Sequence, residues 1–148
     1  MTDSITANCA FCRIIRGEVE SHSVFEDDVS MVFLDHRPLF PGHCLLVPKK
    51  HYPTLGDLPQ TVIGPLFENA QLLARVIEQA LWAEGTFIAV NNRVSQSVPH
   101  LHIHVVPRRK KDGLKGFFWP RQAYRDLDHL QSIQKTLRES IAELQVRS

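Results

Sequence analysis

A chain of 148 residues with 43% hydrophobic and 22% charged side chains fits one domain able to bury a core. A net charge of +1 gives no strong electrostatic case for nucleic acid as a partner. No apolar run is long enough to span a bilayer, and the opening MTDSITANCAF lacks the apolar stretch of a secretory signal. A cytoplasmic enzyme or binding protein without membrane attachment is therefore expected.

Residues 9–16 predict a short helical turn stopped by Gly17. SVFEDD and SMVFLDH predict two strands joined by a turn at Asp27-Asp28, and Pro38 and Pro41-Gly42 punctuate the loop that follows. Residues 43–48, HCLLVP, predict another strand. From Leu58 the period changes. Val62, Leu66, Leu73, Ile77 and Leu81, with Leu58, Val76 and Ala80, mark one face of an amphipathic helix, and Gly85 is its predicted stop. Residues 86–90 predict a strand and residues 91–97 a polar loop. VPHLHIHVVPR predicts the next strand: Leu101, Ile103 and Val105 point to a core, and His100, His102 and His104 share the other face. RRKKDGLKG is a basic loop. The final helix carries Leu127, Leu130, Leu137, Ile141 and Leu144 on one side. Without repeats or a linker, the chain reads as a single α+β domain over 1–148, with a mainly antiparallel sheet and a helical extension from about residue 121.

Three histidines in register rarely arise as a plain solvated strand face. At about 3.3 Å per residue, neighbours on one strand lie roughly 7 Å apart and the outer pair roughly 13 Å, so the three divide tasks rather than share one ion. Cys9-Ala10-Phe11-Cys12 reads as half of a zinc site, a redox pair or two incidental thiols. No thioredoxin-like unit precedes it, and a zinc site needs two more ligands, for which His51 and His100 are candidates. Cys44 sits in an apolar run and reads as a buried structural thiol. Asn91, Asn92, Ser95, Gln96 and Ser97 serve equally as turn formers or as partners for phosphate oxygens. Asp35 suits the paired hydroxyls of a ribose or a turn. Lys49, Lys50, Arg108, Arg109, Lys110 and Lys111 read as solvated loop faces before they read as the mouth of a phosphate site. FFWPR, residues 117–121, is expected to pack.

The run His100-Leu101-His102-Ile103-His104-Val105-Val106 resembles the signature of the histidine-triad (HIT) superfamily, three histidines alternating with hydrophobic residues. CAFCRIIRGEVESHSVFEDD, FLDHRPLFPGHCLLVPKKHY and the loop from Asn-Asn to Gln-Ser resemble the family in the same order, covering residues 9 to about 109. The C-terminal part, including FFWPR, resembles one bacterial-type branch, whose relatives include zinc-carrying members. The resemblance implies a five-stranded, mainly antiparallel sheet with a long helix and a C-terminal helix, paired into a homodimer. It implies nucleotide chemistry at phosphorus: nucleoside phosphoramidases, dinucleoside polyphosphate hydrolases and nucleotidyl transferases. By position, His102 matches the nucleophile and His104 a ligand of the α-phosphate. Asp35 matches the ribose-binding acid and Asn91 the polar residue near the α-phosphate. Gln96, Ser97 and Val98 match the loop that contacts phosphate or leaving group. Cys9, Cys12, His51 and His100 match the zinc ligands, a structural set with no open position. One departure stands out: NNRVSQS is shorter than the family's loop, and Ser95 occupies the place of a glycine.

The function implied is a hydrolase or transferase acting at the α-phosphate of a nucleoside phosphoramidate or dinucleoside polyphosphate, of purine type, through a covalent nucleotidyl-histidine. The alternative is a non-catalytic, zinc-stabilised nucleotide-binding module. Release of AMP under steady-state conditions separates the two.

Overall fold

The structure is a computed structural model that describes residues 3–114 and 120–147. The chain forms two compact units, Met1–Asp112 and Gly113–Ser148. In the first, two short helices, α1 (Ser4–Asn8) and α2 (Ala10–Ile15), precede strands β1 (Ser23–Glu26), β2 (Ser30–Leu34) and β3 (Cys44–Pro48). A 3-10 turn (Leu55–Asp57), the long helix α3 (Gln60–Leu81), β4 (Gly85–Ala89) and β5 (Ile103–Arg108) follow. The second unit contains α4 (Leu127–Arg147). Residues 117–119, the aromatic part of FFWPR, lie outside the described residues. No described helix is long and apolar enough to cross a membrane.

The five strands form one antiparallel sheet in the order β1-β2-β3-β5-β4. Its middle is buried on both faces, which explains why SMVF and CLLVP read as unbroken apolar runs rather than alternating ones. Val32, Leu46, Leu101, Ile103 and Val105 pack on one face against Leu66, Ala70, Leu73 and Ile77 of α3. Removing Leu66, Leu73 and Ile77 from water contributes about 1.5–3 kcal/mol each. The opposite face carries Met31, Phe33, Leu45 and Val47, roofed by Cys9, Phe11 and Cys12 of the N-terminal segment. The predicted turn at residues 9–16 is thus a lid over the second sheet face, ended by Gly17 at φ +75°. Cys44 is buried, its thiol directed at the Gly42 carbonyl.

Three sequence expectations are corrected. The helix predicted from Leu58 starts at Gln60. Leu58 is buried just ahead of it, and Val76 and Leu81 point outward. The helix stops at Trp82 rather than at Gly85, because Trp82 takes the left-handed conformation and the Arg109 guanidinium donates to the Leu81 and Trp82 carbonyls. Gly85 instead opens β4. The histidine strand is shorter than predicted, since β5 begins at Ile103. His100 and His102 precede it in a bent segment where the His100 amide bonds the Val98 carbonyl.

Candidate active site and metal cluster

The bend sends His100 towards the N-terminal lid. Its Nδ1 lies 3.5 Å from both Cys9 Sγ and Cys12 Sγ, and Cys12 Sγ lies 3.4 Å from His51 Nδ1. A tetrahedral zinc with ordinary Zn–S and Zn–N bonds sets its sulfur and nitrogen ligands about 3.6 Å apart, so these separations fit. The supporting hydrogen bonds fit too. His100 Nε2–H donates to the Pro48 carbonyl at 2.8 Å, which leaves Nδ1 bare for a metal. The Cys12 amide donates to Cys9 Sγ, the cap of α2. Burial holds His100 near a pKa of about 4, so its ring is neutral, and burial together with the neighbouring Cys9 pushes the metal-free Cys12 thiol up to about 11. Cys9, Cys12, His51 and His100 converge as one candidate metal cluster, with three of the four buried.

His102 and His104 face the sheet side opposite α3, their ring centroids 4.9 Å apart. His102 is 3% exposed. Its Nδ1–H donates to the His100 carbonyl at 2.8 Å, so Nε2 carries a free lone pair. The state of His104 follows from a residue that the sequence reading did not single out, His43. The Leu39 amide donates to His43 Nδ1 at 3.1 Å, so a neutral His43 keeps its proton on Nε2. That Nε2–H donates to His104 Nδ1 at 2.9 Å. His104 therefore carries its own proton on Nε2. Two neighbouring rings thus present opposite chemistry: a lone pair on His102 and an N–H donor on His104.

Burial lowers the pKa of His43, partly offset by the Asp35 carboxylate. Burial, with the charges of His102 and His43 adding to it, takes His104 down to about 4, so both rings are neutral at pH 7. Asp35 Oδ2 stands 3.7 Å from His43 Nε2, while Oδ1 accepts from the Arg37 amide at 2.9 Å; one carboxylate serves both turn and site. Asp35, His43 and His104 also converge closely enough for a metal. Their two nitrogens, however, are nearer than the roughly 3.3 Å expected around tetrahedral zinc, and they share a proton. The signal for His43 lay in parity. His43, Leu45 and Val47 alternate onto one face, and Leu45 pairs with His104 in the ladder.

A cleft of about 780 Å³ opens above this face. Phe11, Ile14, Phe33, Leu45 and Val98 form its apolar walls, and Asp35, Ser97, His102 and His104 its polar end. Asn91 and Gln96 do not line it. Gln96 holds the loop in place instead, donating to the Pro53 carbonyl and accepting from the Arg93 amide. Asn92 accepts from the Leu55 amide. Ser95 has φ +60°, and Arg93 has φ +69°. The loop thus takes a left-handed backbone at two positions whose side chains disfavour it. None of the six basic residues flanking the site lines the cleft. Lys49 pairs with Glu26, Arg108 with Asp112 and Lys110 with Glu84, while Arg109 caps α3. Arg13 does line the cleft.

A family profile described as HIT domain matches residues 16–111. "Adenylylsulfatase HINT3" of Arabidopsis thaliana is 36% identical over 115 residues, covering 76% of this chain. The match spans 58% of that relative, less than two thirds of its length. "Adenosine 5'-monophosphoramidase HNT1" of Candida albicans is 31% identical over 144 residues, 93% of this chain and 94% of the relative. The crystal structure of a zinc-bound histidine triad family protein from Mycobacterium smegmatis superposes with a TM-score of 0.70 at 34% identity, over 97% of this chain and 99% of that one.

Proposed function

The chain belongs to the HIT domain family, and on that premise we propose that it is a nucleotide hydrolase or transferase. It acts at the α-phosphate of a nucleoside phosphoramidate, an adenylyl anhydride or a dinucleoside polyphosphate. The relatives named as an adenylylsulfatase and an adenosine monophosphoramidase support an adenylyl substrate with a variable leaving group. The observation that carries this reading is the opposed pair of rings, one bare nitrogen beside one N–H.

His102 Nε2 attacks the α-phosphorus in line, forming a P–N bond as the bond to the leaving group breaks. The His104 Nε2–H donates to a non-bridging oxygen and stabilises its growing charge. His43 fixes the proton on His104. Ser97 at the cleft edge supplies a hydroxyl to the leaving atom, and the Val98 amide lies beside it. Water then attacks the nucleotidyl-histidine; the P–N bond breaks, the nucleoside monophosphate leaves and His102 is restored. The base lies among Phe11, Ile14 and Phe33, and the ribose hydroxyls meet Asp35. Asn91 and Gln96 act from outside the cleft, by shaping the loop.

Cys9, Cys12, His51 and His100 would hold zinc, which when bound ties the N-terminal segment to the chain after β3 and to the segment before β5. With four protein ligands its task is structural. We further propose a single HIT domain carrying a C-terminal helical extension, and a homodimer formed through the open β4 edge and the exposed apolar residues of α3. A panel of adenosine phosphoramidate, adenylyl sulfate and a diadenosine polyphosphate, with products identified, tests the reading. AMP release under steady-state conditions is expected. Tight AMP binding with no turnover of any of the three would replace the enzyme with a binding module.

A further inference from the structure

The lid helix over the cleft, α2, also carries part of the metal cluster. α2 is far too short to be stable alone, since isolated helices below about 12 residues are marginal in water. Cys9 caps it and Cys12 lies within it, so the cluster grips the helix at two points one turn apart. Between them stands Phe11, 7% exposed. Its ring meets His100 edge-on at 5.8 Å and His102 edge-on at 5.1 Å, and packs on Phe33 at 5.4 Å. One aromatic side chain thus touches a candidate metal ligand, the candidate nucleophile and the cleft wall. Ala10, Arg13 and Ile14 of the same helix also line the cleft.

We propose that metal binding at Cys9, Cys12, His51 and His100 and nucleotide binding in the cleft are positively coupled, with Phe11 as the connecting side chain. The inference rests on the nucleotide-binding reading above. Metal holds α2 down and so completes the wall that the base needs. Nucleotide packs against that wall and so holds the two cysteines where the metal needs them. Each ligand selects the same seated helix, and linkage makes the effect reciprocal.

The test reads affinities rather than turnover. Zinc affinity is measured by competition with a chromophoric chelator, with and without saturating AMP. AMP affinity is measured by calorimetry on zinc-loaded and zinc-free protein, with circular dichroism confirming that the zinc-free chain is folded. The expected result is that AMP tightens zinc about tenfold and zinc tightens AMP by the same factor, within the usual span of allosteric coupling. Phe11→Ala keeps all four ligands and should bring both factors close to one; Phe11→Leu, which keeps more of the volume, gives a second reading if the alanine variant folds poorly. AMP binding with equal affinity to both forms overturns the coupling. An undiminished factor in both Phe11 variants overturns the route, and a zinc-free chain that is globally unfolded overturns the local origin. Absence of AMP binding to zinc-loaded protein overturns the proposed function itself.

Discussion

His102 and His104 stand two residues apart with their protons on opposite nitrogens, so their loss should have different consequences. His102→Asn removes the attacking lone pair but keeps a polar side chain; turnover should fall by several orders of magnitude while AMP binding survives. His104→Asn removes one donor to the phosphate and should lower kcat by on the order of a hundredfold. Single-turnover kinetics with intact-mass detection of a nucleotidyl adduct separates the two, and near-normal turnover by His102→Asn would refute the assigned nucleophile. Acid provides a second handle. Burial takes His104 from the ordinary 6.5 down to about 4, so between those values the unfolded chain binds a proton that the folded chain refuses. The stability associated with neutral His104 is complete above pH 6.5 and is lost as pH falls towards 4. Denaturant melts at pH 7, 5.5 and 4.5 should show a shallower loss for His104→Asn than for the wild type. Equal losses would mean that the ring is not held neutral by its surroundings.

At the scale of elements, the end of α3 stores strain in a visible place. Trp82 is 83% exposed at φ +57°, where a bulky residue is disfavoured by about 1 kcal/mol and glycine is not. Trp82→Gly should raise stability by about 1 kcal/mol in thermal melts without changing AMP affinity; a destabilised variant would show that the indole has a packing role. The N-terminal lid depends on a different device. Protein purified without added metal should contain about one zinc per chain by elemental analysis, and chelation should lower its melting temperature, because metal binding is folding energy for so short a helix. Metal-free protein of unchanged stability would assign the cluster no structural task.

For the whole molecule, the open question is what covers its remaining apolar surface. In the first unit's sheet β4 is an edge strand with Ile88 exposed, and α3 exposes Ile63 and Phe67 on one flank and Leu72 and Val76 on the other. A sheet edge and exposed apolar helix residues within one unit invite pairing with a second copy about a two-fold axis. Light scattering at micromolar concentration should give twice the chain mass. Ile88→Lys together with Phe67→Glu should yield a monomer, whereas a monomeric wild type would remove the premise.

The sequence by itself determined the α+β class and most elements, and it put three histidines in register as the candidate site. It could do so because alternation and helical period are local, and because residue chemistry does not depend on fold. It also brought Cys9, Cys12, His51 and His100 together as a set, through resemblance rather than spacing. Tertiary structure decided the rest. That the face carrying the histidines is buried depends on α2 folding back over it, a contact across some ninety residues that no local pattern encodes. His43 became part of the site because β3 lies beside β5 in a register that sets Leu45 opposite His104. Which nitrogen of each ring is bare depends on single carbonyl and amide partners, at His100, Leu39 and His43, fixed only once the chain has closed. Hydrogen-bond direction is a property of assembled neighbours, and for this chain it separates a bare ring nitrogen from an N–H donor two residues away.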